Sequence, residues 1–243
     1  MKIETLEIVG RKYLVKIIDQ PRPDSTISIA NNIITIKIPL ALNREERFRQ
    51  IIKMKNWAKS KIEKNPDQFK IEMPKEYHDG DVLKIGEEEY TLNVELKEKQ
   101  SSSARWSGNA IHLAISSNLS LEKQQKHISS LLSRIVARKR LPQLQEKINA
   151  LNKIHFNQPI NKIFFKNTSS LWGSCSGERR NINISTRLLF APDEVLESVC
   201  IHELAHLIEH NHSQRFWDLV YRACPDYAER KKWLNENGQR CAF

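Results

Sequence analysis

The sequence predicts an α+β fold in which a β-rich N-terminal region is followed by a helical region with a short sheet. Three observations predict it: period-two alternation recurs through the first 116 residues, helical periodicity takes over at Asn118, and two short strand-like segments flank a glycine-containing loop further on.

The first elements are strands. "IETLEIVG" and "KYLVKIID" alternate, as do "STISIA" and "NIITIKIP", with Asn31-Asn32 placed to turn the second pair into a hairpin. From Asn43 to Lys64 apolar residues return every three or four positions, Asn43 can cap, and Pro66 lies just beyond, so a helix packs on this sheet. "DVLKIG", "EYTLNVEL" and "NAIHLAIS" read as further strands. A long helical stretch then starts behind Ser120, with Pro142 marking a kink or a junction between two helices. "NKIFFKN" and "NINIS" read as strands on either side of the loop "TSSLWGSCSGERR". No internal repeat is apparent, and the expected division is 1–115, a β-rich region with one helix, and 116–243, a helical region with a short sheet.

Composition bounds the function. With 40% hydrophobic and 28% charged residues, the 243-residue chain can bury a core. No apolar run approaches membrane-spanning length and the N-terminus lacks a signal peptide's apolar segment, so a cytoplasmic protein with no membrane association is expected. Cys175, Cys200, Cys224 and Cys241 form no C-x-x-C pair, which favours free thiols. Residues 122–187 hold 13 basic against 3 acidic side chains, equal to the whole net charge of +10. Such a stripe either attracts a nucleotide or nucleic acid or is a solvated lysine-rich face. With seven glycines and no P-loop or G-x-G-x-x-G pattern, there is no conventional nucleotide cradle.

The stretch "VCIHELAHLIEHNHSQRFW" carries the chemistry. Pro192, Asp193 and Glu194 suit the start of a helix running to about residue 210. On it Leu196, Cys200, Leu204 and Leu207 form the apolar face, while His202 and His206, four apart, stand together off that face. Asn211 can end the helix in a left-handed conformation, and Ser213 can cap the next helix, with Trp217 and Val220 inward. A hydrolytic zinc site takes three protein ligands and keeps a fourth position for water. His202 and His206 supply two. His212, on the turn, is the preferred third; His210 competes, since i+8 stays on nearly the same face. Glu203, at the rim, is placed to accept a proton from water as general base. Cys175 as a nucleophile is the sharper alternative in the "LWGSCS" loop, and a small buried hydrophobe the simpler one.

"LWGSCS", "NINISTRLLFAP" and "VCIHELAHLIEHNHSQRFW", in that order, resemble the YgjP-like metal-dependent hydrolases, relatives of the SprT and WLM zinc metallopeptidases in the zincin group. The resemblance is strong over residues 120–243 and loose over the first half. It implies a zincin-like catalytic domain with His202, His206 and His212 as metal ligands, Glu203 as base and Zn2+ as the metal. Leu171 stands where the family usually has a basic residue, and Ser185 where it has Asn.

The expected function is a zinc metallopeptidase acting on peptides or proteins, with an edge strand, "NINIS" or "NKIFF", pairing with the substrate. Two alternatives are a nucleoside triphosphate (UTP-like) pyrophosphatase and a nucleic-acid-associated module with a structural metal. The sequence does not set the oligomeric state.

Overall fold

The computed structural model describes residues 2–30, 32–64, 66, 75–168 and 170–243. It is α+β, and contacts divide it into two compact units, Met1–Met73 and Pro74–Phe243.

In the first unit, β1 (Lys2–Ile8), β2 (Arg11–Gln20), β3 (Thr26–Ala30) and β4 (Ile33–Pro39) form a sheet of order β1-β2-β4-β3. The β1–β2 hairpin turns through Val9 and Gly10, both with positive φ, as a two-residue loop matched to strand twist requires. Of the expected Asn31-Asn32 turn, Asn31 lies outside the described residues, and Asn32 is left-handed with φ 56°. Alternation puts Tyr13, Val15, Ile17, Ile34, Ile36 and Ile38 in one core with Ala58 and Ile62 of α1 (Arg44–Lys64). Asn43 caps α1 reciprocally. Its Oδ1 accepts from the Glu46 N–H at 3.0 Å, and the Glu46 carboxylate accepts from the Asn43 N–H at 3.1 Å.

The second unit opens with the same arrangement. Strands β5 (Val82–Ile85), β6 (Glu88–Lys97), β7 (Ser103–Ser107) and β8 (Ala110–Ser116) have order β5-β6-β8-β7 and are followed by α2 (Leu121–His155). The pairings of β2 with β4 and of β3 with β4 all recur 77 positions later, as β6 with β8 and β7 with β8: Leu14 opposes Ile33 as Thr91 opposes Ala110, and Thr26 opposes Lys37 as Ser103 opposes Ala114. The helices begin at Arg44 and Leu121, the same distance apart. The chain therefore contains an internal structural repeat, contrary to the sequence reading. Identity survives mainly where side chains point inward: Ile8 and Ile85, Tyr13 and Tyr90, Ile34 and Ile111, Ile38 and Ile115. A handful of matched core positions leaves little trace in a linear comparison. Strand β7 was not foreseen either, because "SARWS" is polar on its outer face.

Within the second unit, Leu83, Ile85, Leu92, Ile111, Leu113 and Ile115 share a core with Ile128, Leu132 and Val136 of α2. Helix α2 is continuous, so Pro142 interrupts its hydrogen bonding without ending it. Its 35 residues span about 52 Å. Further along, Leu144 and Ile148 enter a different core. That core also holds residues of β9 (Lys162–Lys166), β11 (Asn181–Ser185), α3 (Asp193–Ala205), α4 (Gln214–Ala223) and α5 (Tyr227–Asn237). Strand β10 (Gly173–Ser176) completes a three-stranded sheet of order β10-β11-β9, with β11 antiparallel to β10 and parallel to β9. Among the described residues no helix is long and apolar enough to cross a membrane.

Ile148 is fully buried where α2 meets this core. Ile148→Ala should lower stability by about 2 to 5 kcal/mol, the range for removing a buried aliphatic side chain, and should shift the urea midpoint of the folded protein accordingly.

Candidate metal centre

Helix α3 presents Val195, Val199, Cys200, Ile201 and Leu204 to the core, with Asp193 and Glu194 in its first turn complementing the helix dipole. It ends earlier than the sequence suggests. Ala205 is its last residue, His206 is the C-cap, and tight turns follow, with the Leu207 and Ile208 N–H groups donating to the Leu204 and Ala205 carbonyls at 3.0 and 3.1 Å. Asn211 is not left-handed, as had been expected. Instead its Oδ1 accepts from the Ser213 N–H at 3.0 Å, and the Ser213 hydroxyl caps α4 by accepting from the Phe216 N–H at 3.4 Å.

This reversal carries His212 back to α3. Candidate ligand atoms of His202, His206 and His212 all lie within 4.8 Å of one another, and the Nε2 atoms of His202 and His212 are 3.2 Å apart. His210 is not in the group; its Nδ1 donates to the His206 carbonyl at 3.2 Å, and its ring lies against Gly177. All three imidazoles rest on Phe216, with ring centroids 4.9, 4.5 and 4.7 Å away. Phe216 is fully buried and reads in the sequence only as a packing residue.

The two histidines from the α3 region are held neutral. Burial first, then the neighbouring histidines and Lys231, lower the His202 pKa to about 3. Burial is also the main cause of the lowering at His206. Their orientation is fixed from behind: His206 Nδ1 donates to the Glu209 carbonyl at 3.0 Å, and His202 Nδ1 lies 2.9 Å from the Tyr227 hydroxyl. Each can then turn Nε2 toward the shared space. Three converging imidazole nitrogens suit a borderline divalent ion such as zinc.

Glu203 is only 5% exposed, and burial raises its pKa to about 8. It packs against Gly173 so closely that a Cβ there would fall 2.5 Å from Oε1. Gly173 thus leaves space for the carboxylate, a role beyond the turn chemistry read from the sequence. The histidines and Glu203 line a cleft of about 590 Å3 with Leu171, the β10 strand, Gly177 and Glu178. Burial, with Glu203 adding to it, pushes the Cys175 thiol up to about 11, which disfavours a nucleophilic thiolate. A larger cavity of about 770 Å3, bounded by Arg140, Phe165, Pro192 and Trp233 among others, shares no residue with the cleft.

Behind β10 lies a clamp the sequence did not reveal. The Arg187 guanidinium sits 4.0 Å from the Trp172 ring centroid and donates to the Cys241 and Gly238 carbonyls at 2.8 and 2.5 Å. Gly238 in turn accommodates the Trp172 ring. Leu171 lies on the cleft, whereas Ser185 is buried and its hydroxyl donates to the Thr168 carbonyl at 3.2 Å.

A cleft floored by three histidines beside a buried glutamate, along an edge strand, has the form of a metallohydrolase site. The chain belongs to the YgjP-like family, whose metallopeptidase domain model matches residues 23–237. Membership makes it a metallopeptidase-type hydrolase and implies a divalent metal. Among solved structures it is similar to the metallopeptidase zymogen abylysin of Pyrococcus abyssi, with 23% identity, 36% of this chain and 88% of the other covered, and TM-score 0.34. The zymogen jannalysin of Methanocaldococcus jannaschii is similar at 18% identity, 36% and 92% coverage, and TM-score 0.31. A search of curated proteins gave no match.

Two outcomes follow from Glu203's surroundings. Gly173→Ala should displace the Glu203 carboxylate and lower the urea midpoint, whereas Gly177→Ala should be milder because the exposed His210 ring can swing away. In the metal-free protein, the stability contributed by protonated Glu203 is complete below its ordinary value of 4.5 and is lost as pH rises through about 8. The urea midpoint of metal-free Glu203→Gln should therefore match wild type near the lower pH and exceed it at the upper. A difference that does not change with pH would show that the carboxylate titrates normally.

Proposed function

We propose that the protein is a zinc-dependent metallopeptidase in which His202, His206 and His212 hold the metal and Glu203 is the general base. The observation that carries this reading is the convergence of three imidazoles beside a buried carboxylate. Among the described residues no fourth His, Cys, Asp or Glu joins the group, consistent with the open position that separates catalytic from structural zinc. Bound there, zinc would supply Lewis acidity, lowering the pKa of water and polarising a carbonyl. Glu203, beside Gly173, accepts the proton of the attacking water on a carboxylate oxygen and returns it to the departing amine.

Peptides suit the cleft better than nucleotides. Among the described residues strand β10 pairs on one side only, with β11, so its other edge can take up an extended chain by main-chain hydrogen bonding. That role had been assigned to "NINIS" or "NKIFF". "NINIS" is the central strand β11, "NKIFF" forms the far edge β9, and the strand on the cleft comes from the segment read as a loop. The cleft lining includes Glu178 and Glu203 and no lysine or arginine, which would repel a triphosphate. The basic segment 122–187 supports nucleic-acid binding no better: Lys139 and Arg140 pair with Glu88, Lys147 with Asp193, and Arg187 is engaged behind β10.

Purified protein should carry about one zinc per chain, and His202→Ala, His206→Ala or His212→Ala should lose most of it, as measured by elemental analysis. Zinc retained in His212→Ala but lost in His210→Ala would reassign the third ligand. Glu203→Gln should keep its zinc while cleavage of an unstructured protein falls by roughly 10² to 10⁴-fold. Zinc-dependent release of pyrophosphate from nucleoside triphosphates without any peptide cleavage would overturn the substrate assignment.

A further inference from the structure

Tyr227 is the first residue of α5, 25 positions beyond His202, and is 7% exposed. Its ring lies nearly parallel to the His202 imidazole, 5.9 Å away and tilted by 11°, with its hydroxyl 2.9 Å from Nδ1. Trp217 borders the same ring at 5.8 Å, so the phenol is enclosed on its face as well as at its tip. What puts it there is a staple between α5 and α3. Arg230, one turn along α5, pairs with Asp226 at 2.8 Å and reaches across to the Glu194 carbonyl at 2.9 Å and the Glu197 carboxylate at 3.3 Å. Glu194 and Glu197 belong to the helix that carries His202.

We infer that Tyr227 is a positioning residue that selects the His202 tautomer able to bind a metal, and that the Arg230 staple sets its place. The inference rests on the proposed function. A neutral imidazole carries its proton on one nitrogen or the other, and His202 can ligate through Nε2 only when Nδ1 is protonated. The Tyr227 oxygen must then accept from Nδ1–H. His206 donates instead to a backbone carbonyl. Among the described hydrogen bonds, the partners of the two imidazoles are thus a hydroxyl and a carbonyl.

Zinc affinity, measured by competition with a chelator, should fall roughly 10- to 100-fold in Tyr227→Phe, the usual effect of removing a group that orients a metal ligand. The aromatic ring is kept, so the metal-free variant's urea midpoint should change little, which separates positioning from a structural role. A second measurement uses unaltered protein. Ring 15N NMR of metal-free wild type should find His202 protonated at Nδ1, and Tyr227→Phe should show a mixture of tautomers. Equal zinc affinity in wild type and Tyr227→Phe would overturn the inference, as would a metal-free His202 protonated at Nε2. If wild type bound no zinc, the proposed function would fall, while the tautomer measurement would still decide the role of Tyr227.

Discussion

The centre depends on where α3 stops. A straight helix continuing past Ala205 would carry residue 212 about 9 Å along the axis from residue 206, beyond the reach of a shared ligand atom. The chain instead reverses between His206 and Ser213, using tight turns, the Asn211 side chain and the Ser213 cap, and so returns His212 to the two histidines it left behind. Phe216 follows immediately on α4 and fills the space beneath all three rings. The cap and the aromatic floor are thus parts of one device, because the cap fixes the start of α4 and the start of α4 fixes Phe216.

Burial around this device acts in opposite directions on the two kinds of titrating group. It drives His202 toward the neutral form and Glu203 toward the protonated form, so both lose charge for the same reason. A site built this way has its donor atoms prepared and its counter-charge missing. A divalent cation answers both conditions, as it accepts neutral imidazole ligands and favours ionisation of the neighbouring carboxylate.

The histidine spacing and the period of the helices could be read directly, since ligand chemistry and helical geometry are local. His202, Glu203 and His206 fall within five residues, and Ser213 and Asn43 announce their helices by residue type. What stayed hidden depends on contacts far apart in the chain. Tyr227 has no signature that links it to His202, and the fit of Gly173 against Glu203 joins a strand and a helix 30 residues apart. Strand β10 was taken for a loop because its four residues, Gly-Ser-Cys-Ser, have little strand character, and only the pairing with β11 makes them a strand. The repeat leaves little trace in the linear sequence because its outer faces have diverged and only a few of its inward positions are identical.

The repeat also differs between its copies in one dimension, helix length. Helix α1 has 21 residues and α2 has 35, and the additional turns place Leu144 and Ile148 in the core shared with α3 while Ile128, Leu132 and Val136 remain with the sheet. One rod is therefore common to both hydrophobic cores of the second unit. Loosening either end removes support from the other, which couples them into a single cooperative block. The residues around Tyr13 and Ile36 have a core closed within their own module. Helix α2 thus both closes a small sheet and supports the core that carries α3.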